Sequence, residues 1–326
     1  TFYIFFKDQS ISEILKIVFE VDKKFILIAI VCMCLYLIGE AINIGRTLKA
    51  LGEKSTFLKN VKYALIGFFF SSITPAASGG QPMQVYYMYK DNINVAKSTL
   101  ALLVNLTSMQ IVTISIALIS LIFNYQNLNT VLIICFIVGI CLNASALALL
   151  LISILSKRMT RGIINFVVKI LKFFKIKNVE AKQEWLEEQL QKYQDSAKYF
   201  KSHKALIFKT LLTTYIQFFI YYSISYWVYR SFGLAEHNIF KIVSLQAVLF
   251  ATVSGIPSPG AVGVSEGGFL EIFKGVYGAK SVNGAMLLSR GVNFYLFVLI
   301  SAVLVIICTM KDKKEVKSEN SENVEE

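Results

Sequence analysis

The chain has 326 residues, of which 55% are hydrophobic and only 17% charged, with a mean hydropathy of +0.59. Basic residues exceed acidic ones by 12. This composition excludes an ordinary soluble globule, whose helices need a polar face. The positive excess is concentrated in loops beside apolar runs, which points to an anionic membrane surface as partner and not to a nucleic acid.

In chain order, "TFYIFF" running into "KDQS" predicts the end of a helix near Phe6 whose start lies upstream of Thr1. Spans of roughly the 20 apolar residues that cross a hydrocarbon core follow: A (25–45), C (99–123), D (130–155), E (205–229) and G (284–310). Two shorter, interrupted segments fall near 61–90 and 239–274. Cys32, Cys34, Cys135, Cys141 and Cys308 all lie in or beside apolar runs and read as small packing residues, not as a disulfide or metal framework.

Positive charge marks the cytoplasmic side. Segment 46–62 carries Arg46, Lys49, Lys54, Lys59 and Lys62 against Glu53 alone, and 157–204 carries a net +7. Lys311, Lys313, Lys314 and Lys317 follow span G, whereas "NYQNLN" between C and D has no charge. These assignments agree only if each interrupted segment returns to the side it entered from. The expected fold is an all-α polytopic membrane protein of inverted repeats, each with a re-entrant broken helix pair. A transmembrane domain covers 1–310, with halves of about 1–125 and 126–310 and a basic cytoplasmic loop at 157–204, before a charged, disordered cytoplasmic tail at 311–326. In that loop, "RGIINFVVKILKFFKI" (161–176) suits an amphipathic helix on an anionic surface or one packed on its own protein, and 179–200 reads as a solvated helix of mixed charge.

The first interruption is "FFFSSITPAASGGQPMQVYYMYK" (68–90). Pro75 removes a backbone donor, Gly79 and Gly80 open turns closed to other residues, and Pro82 suits a new first turn. In the second, Pro257, Pro259 and Gly260 break the chain, and Gly263, Gly267 and Gly268 keep the returning helix slender. Backbone groups left unpaired cannot face lipid tails. The breaks are therefore expected to line a hydrated cavity, with returning-helix amides turned toward it, although Pro and Gly also occur as plain kinks. Glu40, Asn105, Gln110, Gln217, Gln246, Glu266, Glu271, Arg290 and Asn293 also fall in or beside spans. A charge there needs a partner or water, and Glu266 or Glu271 with Arg290 is the expected pair. Glu40 and Glu271 are alternatively structural or within reach of the headgroups.

At these two motifs the chain resembles the lysylphosphatidylglycerol synthase/flippase transmembrane region. "TPAASGGQPMQVYYM" (74–88) is similar to its first signature, and "PSPGAVGVSEGGF" (257–269) with "LLSRGVNFY" (287–295) to its second. The likeness spans essentially the whole chain. It implies a bacterial integral membrane protein that handles phospholipid. In bifunctional members this region moves aminoacylated phosphatidylglycerol to the outer leaflet, lowering surface charge and the binding of cationic antimicrobial peptides, while a separate domain makes the lipid from aminoacyl-tRNA. Where relatives carry charges around the first signature, this chain has Gln81, Gln84 and Val104–Asn105, so the resemblance does not carry charge recognition to that half.

His203 and His237 are the only histidines and no P-loop follows either glycine cluster. The sixteen residues after span G and the polar 157–204 loop are too short for a transferase domain. The expectation is a phospholipid translocase with no catalytic residue, cofactor or metal of its own. Its substrate-binding residues are Pro75, Gly79, Gly80, Gln81, Gln84, Asn105, Pro259, Gly260, Glu266 and Arg290. The alternative, a phosphatidylglycerol lysyltransferase, requires a separate synthase as partner. Self-association and an assembly role stay open.

Overall fold

The computed structural model describes residues 19–125, 129–156, 161–162, 179–256 and 258–325, and among them the chain forms helices without a strand. Helix α1 (Lys23–Ala50) leads to α2 (Phe57–Ile73), a short 3-10 turn (Pro75–Ala77), α3 (Gly80–Lys90) and α4 (Val95–Asn124). After α5 (Thr130–Leu155) and α6 (Val179–Ser202), a similar succession recurs. It comprises α7 (Lys204–Ser231), α8 (Ile239–Val253), a second 3-10 turn (Pro259–Ala261), α9 (Val264–Arg290), a π-turn (Gly291–Tyr295) and α10 (Leu296–Glu325). The starts are written in short polar residues. Asp22, Thr56, Asn94, Asn129 and Asn238 each accept a backbone N–H of the helix they begin, satisfying donors that have no intrahelical partner.

Among the described residues, five helical stretches are long and apolar enough to cross a membrane: Lys23–Ala50, Val95–Asn124, Thr130–Ile154, Lys204–Ser231 and Pro259–Met310. The chain is a multi-pass membrane protein. The last stretch is not one straight rod. Gly278, at φ 73° and ψ 161°, bends α9 into a returning limb (264–277) and a second limb that runs through the π-turn into α10. The final span therefore starts about five residues earlier than expected. Large apolar side chains on α5, such as Val131 (67% exposed) and Ile134 (56%), face outward, as lipid-contacting residues must.

Helices α1 and α7 pack extensively against each other. Asn43 Nδ2 donates to Thr214 Oγ1 at 3.0 Å, and Arg46 Nη1 to Lys209 O at 2.9 Å, while Gln217 packs against Gly39. Each broken pair has its own core. Ile44, Tyr63, Met88 and Leu100 gather around the first, and Leu249, Phe269, Phe273 and Ala285 around the second. Peripheral α5 crosses α8 so closely that a Cβ at Gly139 would lie 2.4 Å from Ala251 O. Asn143 fastens the crossing by donating to Ala251 O and Ser254 Oγ, as buried amides do between helices in lipid.

Two expectations are corrected. The 179–200 stretch is not merely a solvated helix, because Leu190, Tyr193, Ala197 and Phe200 are buried. Their spacing of three, four and three residues puts them on one stripe, and Tyr193 donates to Ser153 O at 2.9 Å. The tail expected to be disordered instead continues α10 to Glu325, through a run rich in the helix formers Lys and Glu. The helix expected to end near Phe6, most of the 161–176 stretch and Pro257 lie outside the described residues.

Candidate functional site

The two 3-10 turns meet, and neither contains a buried residue. Thr74 enters the first at φ −110°, ψ 145°, and Ser258 the second at φ −117°, ψ 144°. Each turn then places consecutive residues in the left-handed region: Ala76 and Ala77 at 51° and 53°, Gly260 and Ala261 at 57° and 51°. For an alanine this conformation costs about 1–2 kcal/mol, so three such residues at one locus mark a strained site held by its surroundings. Gly260 has a steric need as well. A Cβ there would fall 2.2 Å from Phe294 Cζ.

Between the turns is a cavity of about 230 Å³. Ser71, Ser72, Ala76 and Ala77 line it from the first broken segment, and Ser254, Ser258, Gly260, Ala261 and Ser265 from the second. Gln246, Ser289, Arg290 and Asn293 complete its polar wall, while Phe68, Leu249, Phe250 and Phe294 belong to its apolar one. The π-turn widens the helix immediately after Arg290, as such bulges do at functional sites, and carries Asn293 and Phe294.

One ion pair organises the polar side. Arg290 Nε donates to Glu266 Oε1 at 2.8 Å, and Arg290 Nη2 to Gly260 O at 3.0 Å. The guanidinium carbon lies 4.2 Å from the Phe294 ring centroid. Glu266 also accepts from Tyr295 OH at 3.2 Å and from Gly263 N. Arg290 is 8% exposed and Glu266 5%. Partnering removes most of the penalty that either charge alone would suffer at this depth. Two buried atoms on the lining are not so provided for: Asn293 Oδ1 and Ser258 Oγ have no hydrogen-bond partner among the described residues. Buried polar atoms are almost always satisfied, so this cavity is suited to a guest that carries both donors and acceptors.

The expected site residues divide. Gly260 and Arg290 line the cavity, Glu266 stands directly behind Arg290, and Pro75 and Pro259 open the two turns. Gly79 and Gly80 sit instead where α3 crosses α2. A Cβ on Gly80 would lie 2.8 Å from Gly67 O, and Gly79 N donates to Thr74 Oγ1 at 2.9 Å. Gln84 is buried elsewhere, donating to Tyr63 O at 3.0 Å and Glu40 Oε1 at 3.2 Å. Gln81 and Asn105 do not line the cavity, and Asn105 Oδ1 is another buried acceptor without a partner among the described residues. Of the two candidate partners for Arg290, Glu266 is taken and Glu271 is exposed. The leading amide of the returning helix α9 meets the carboxylate of Glu266, not the cavity.

Residues 1–301 match the family described as the lysylphosphatidylglycerol synthase TM region. The chain is also 22% identical over 309 residues to a UPF0104 membrane protein, PH1989, of Pyrococcus horikoshii, covering 91% of each.

Proposed function

Because the chain belongs to the lysylphosphatidylglycerol synthase transmembrane-region family, we propose that it is a phospholipid translocase whose headgroup passes through the cavity between the two broken segments. The observation that carries this reading is the pair of unsatisfied buried atoms, Asn293 Oδ1 and Ser258 Oγ, beside Arg290 in a cavity walled by both breaks. The guanidinium faces the phosphate, in the geometry that favours Arg for phosphate recognition. Asn293 and Ser258 take the glycerol or aminoacyl donors. Acyl chains stay outside, along the apolar wall and the bilayer. Because Glu266 already balances Arg290, the site tolerates a zwitterionic aminoacyl-phosphatidylglycerol as well as phosphatidylglycerol itself.

In this reading the halves are inverted, the α2 break entering from the cytoplasm and the α8 break from outside. The C-terminal helix ends in the cytoplasm, as the positive-inside bias of 46–62 and 157–204 requires. Site residues at the turn between paired half-helices are typical of such transporters. The consequence for the cell is a less anionic outer surface and weaker binding of cationic antimicrobial peptides.

Purified protein in liposomes of known lipid asymmetry tests this. A faster appearance of phosphatidylglycerol or lysylphosphatidylglycerol in the opposite leaflet is expected. A rate unchanged by the protein for every phospholipid tried refutes transport, and lysyl-lipid formed by the purified chain from charged tRNA would replace it with the transferase reading.

A further inference from the structure

A second concavity, sharing no lining residue with the first, opens at the far end of α1. Its volume is about 560 Å³, and it is bounded by the last turns of α1 and by residues 53–60. Four cations line it, Arg46, Lys49, Lys54 and Lys59, against one carboxylate, Glu53. That carboxylate is already engaged, since Lys97 Nζ reaches it from outside the groove at 2.9 Å. Lys59 shares Asp91 at a long 3.6 Å with Lys62, which is much closer.

Arg46 is positioned by its neighbours. Its Nη1 donates to Asn43 Oδ1 at 2.8 Å and to Lys209 O at 2.9 Å, which fixes the guanidinium without neutralising it. Lys49 and Lys54 are exposed and form no ion pair among the described residues. Ile42 and Phe57, 40% and 51% exposed, complete the lining with an apolar wall. An excess of lysine on one face is ordinary in membrane proteins. What is specific here is convergence: positive groups gather in a hollow whose only carboxylate is spent and whose wall carries the exposed apolar side chains Ile42 and Phe57.

We infer that this groove binds the phosphate oxyanion of an anionic phospholipid of the adjoining leaflet, the headgroup among Arg46, Lys49 and Lys54 and the upper acyl chain against Ile42 and Phe57. The shared chemistry is a phosphate ester, which a small soluble phosphate compound also offers. The apolar wall selects the lipid. The inference requires only that the chain spans a membrane, and it stands or falls apart from translocation.

The test is native mass spectrometry of the full chain in phosphatidylcholine nanodiscs titrated with phosphatidylglycerol. Wild type is expected to retain one phosphatidylglycerol that the K49E/K54E variant binds at least about tenfold more weakly. The K198E/K204E variant, which reverses two exposed lysines outside the groove, is expected to match wild type. Should charge reversal prevent folding, K49Q/K54Q gives the same readout with a smaller loss. Equal retention by the groove variant and wild type overturns the inference, as does an equal loss in K198E/K204E. Inorganic phosphate or glycerol 3-phosphate that displaces the lipid at millimolar concentration overturns the assignment to lipid. A translocation defect with groove binding intact bears on the central cavity alone.

Discussion

The first break reaches its turn through Thr74 at φ −110°, ψ 145°, the second through Ser258 at φ −117°, ψ 144°, and both pass through two left-handed residues. The means of holding the turn differ. At the first, Thr74 Oγ1 donates to Phe70 O at 2.6 Å and accepts from Gly79 N, so a hydroxyl within the turn serves backbone groups that lipid cannot. At the second, Arg290 arrives from the last helix to take Gly260 O, with Glu266 as its counter-charge. The polar cluster near the first break, Gln84 with Glu40 and Tyr63 O, is turned away from the cavity. One backbone device has thus been built twice with different chemistry. The neutral half supplies a wall, and the charged half supplies the group that meets a ligand.

The largest effect is expected from Arg290→Met, which strands Glu266 and leaves Gly260 O without its donor. Loss of one partner of a buried pair costs about 3–5 kcal/mol, so thermal unfolding in detergent is expected to fall sharply and translocation to vanish. The Glu266→Gln/Arg290→Met double variant is expected to regain much of the stability and none of the transport. Full recovery of transport would break the assignment of charge to this half.

Glycine and alanine exchange sharpens the comparison next. Gly260→Ala combines a left-handed Cβ with a clash on Phe294 and is expected to cost about 1–3 kcal/mol. Ala76→Gly, at the matching position of the neutral turn, relieves strain while adding unfolded-state entropy, and its effect is expected within about 1 kcal/mol. Equal losses at both positions would contradict the different anchoring of the turns.

Asn293→Leu separates stability from function. Because Oδ1 has no partner to lose, unfolding is expected to change by less than about 1 kcal/mol, while leaflet-resolved transport drops at least tenfold. The smallest effect concerns the loop after α3. Burial pushes the Asp91 carboxyl up, but hydrogen bonds from Lys62 and Tyr63 and the charges of Lys62 and Lys59 outweigh it and hold its pKa below the usual carboxylate value. Its stabilisation is present above the unfolded-state pKa and is lost as pH falls through the lower folded value. Asp91→Asn is therefore expected to lower the melting temperature by a few degrees at pH 7, with the gap to wild type closing below about pH 4.

Much of this was legible in the sequence, for physical reasons. Proline and glycine announce backbone that cannot continue a helix, so both breaks could be read from Pro75, Gly79, Pro259 and Gly260. An arginine in a span demands a carboxylate, so Glu266 or Glu271 with Arg290 was narrowed to two choices, and packing made the choice. The cavity's serines were not legible, because Ser71, Ser258 and Ser289 are as much at home bonding their own helix as facing a cavity. The signal available was their clustering just before the breaks, in "SSITP" and "SGIPSP". The rotational phase of Gln84 was not legible: only the crossing at Gly67 shows that it turns toward Glu40. The bend at Gly278 was not legible, because a single glycine does not disclose its φ.

The most direct measurement uses single cysteines at Ala77 and Ala261, one from each turn, in a chain whose five native cysteines are replaced. Both are expected to react with a small aqueous thiol reagent, and both to be protected in parallel when phosphatidylglycerol replaces phosphatidylcholine in the nanodisc. Positions sealed from the reagent, or reactive yet indifferent to the lipid, would contradict a shared hydrated cavity that receives a phospholipid headgroup.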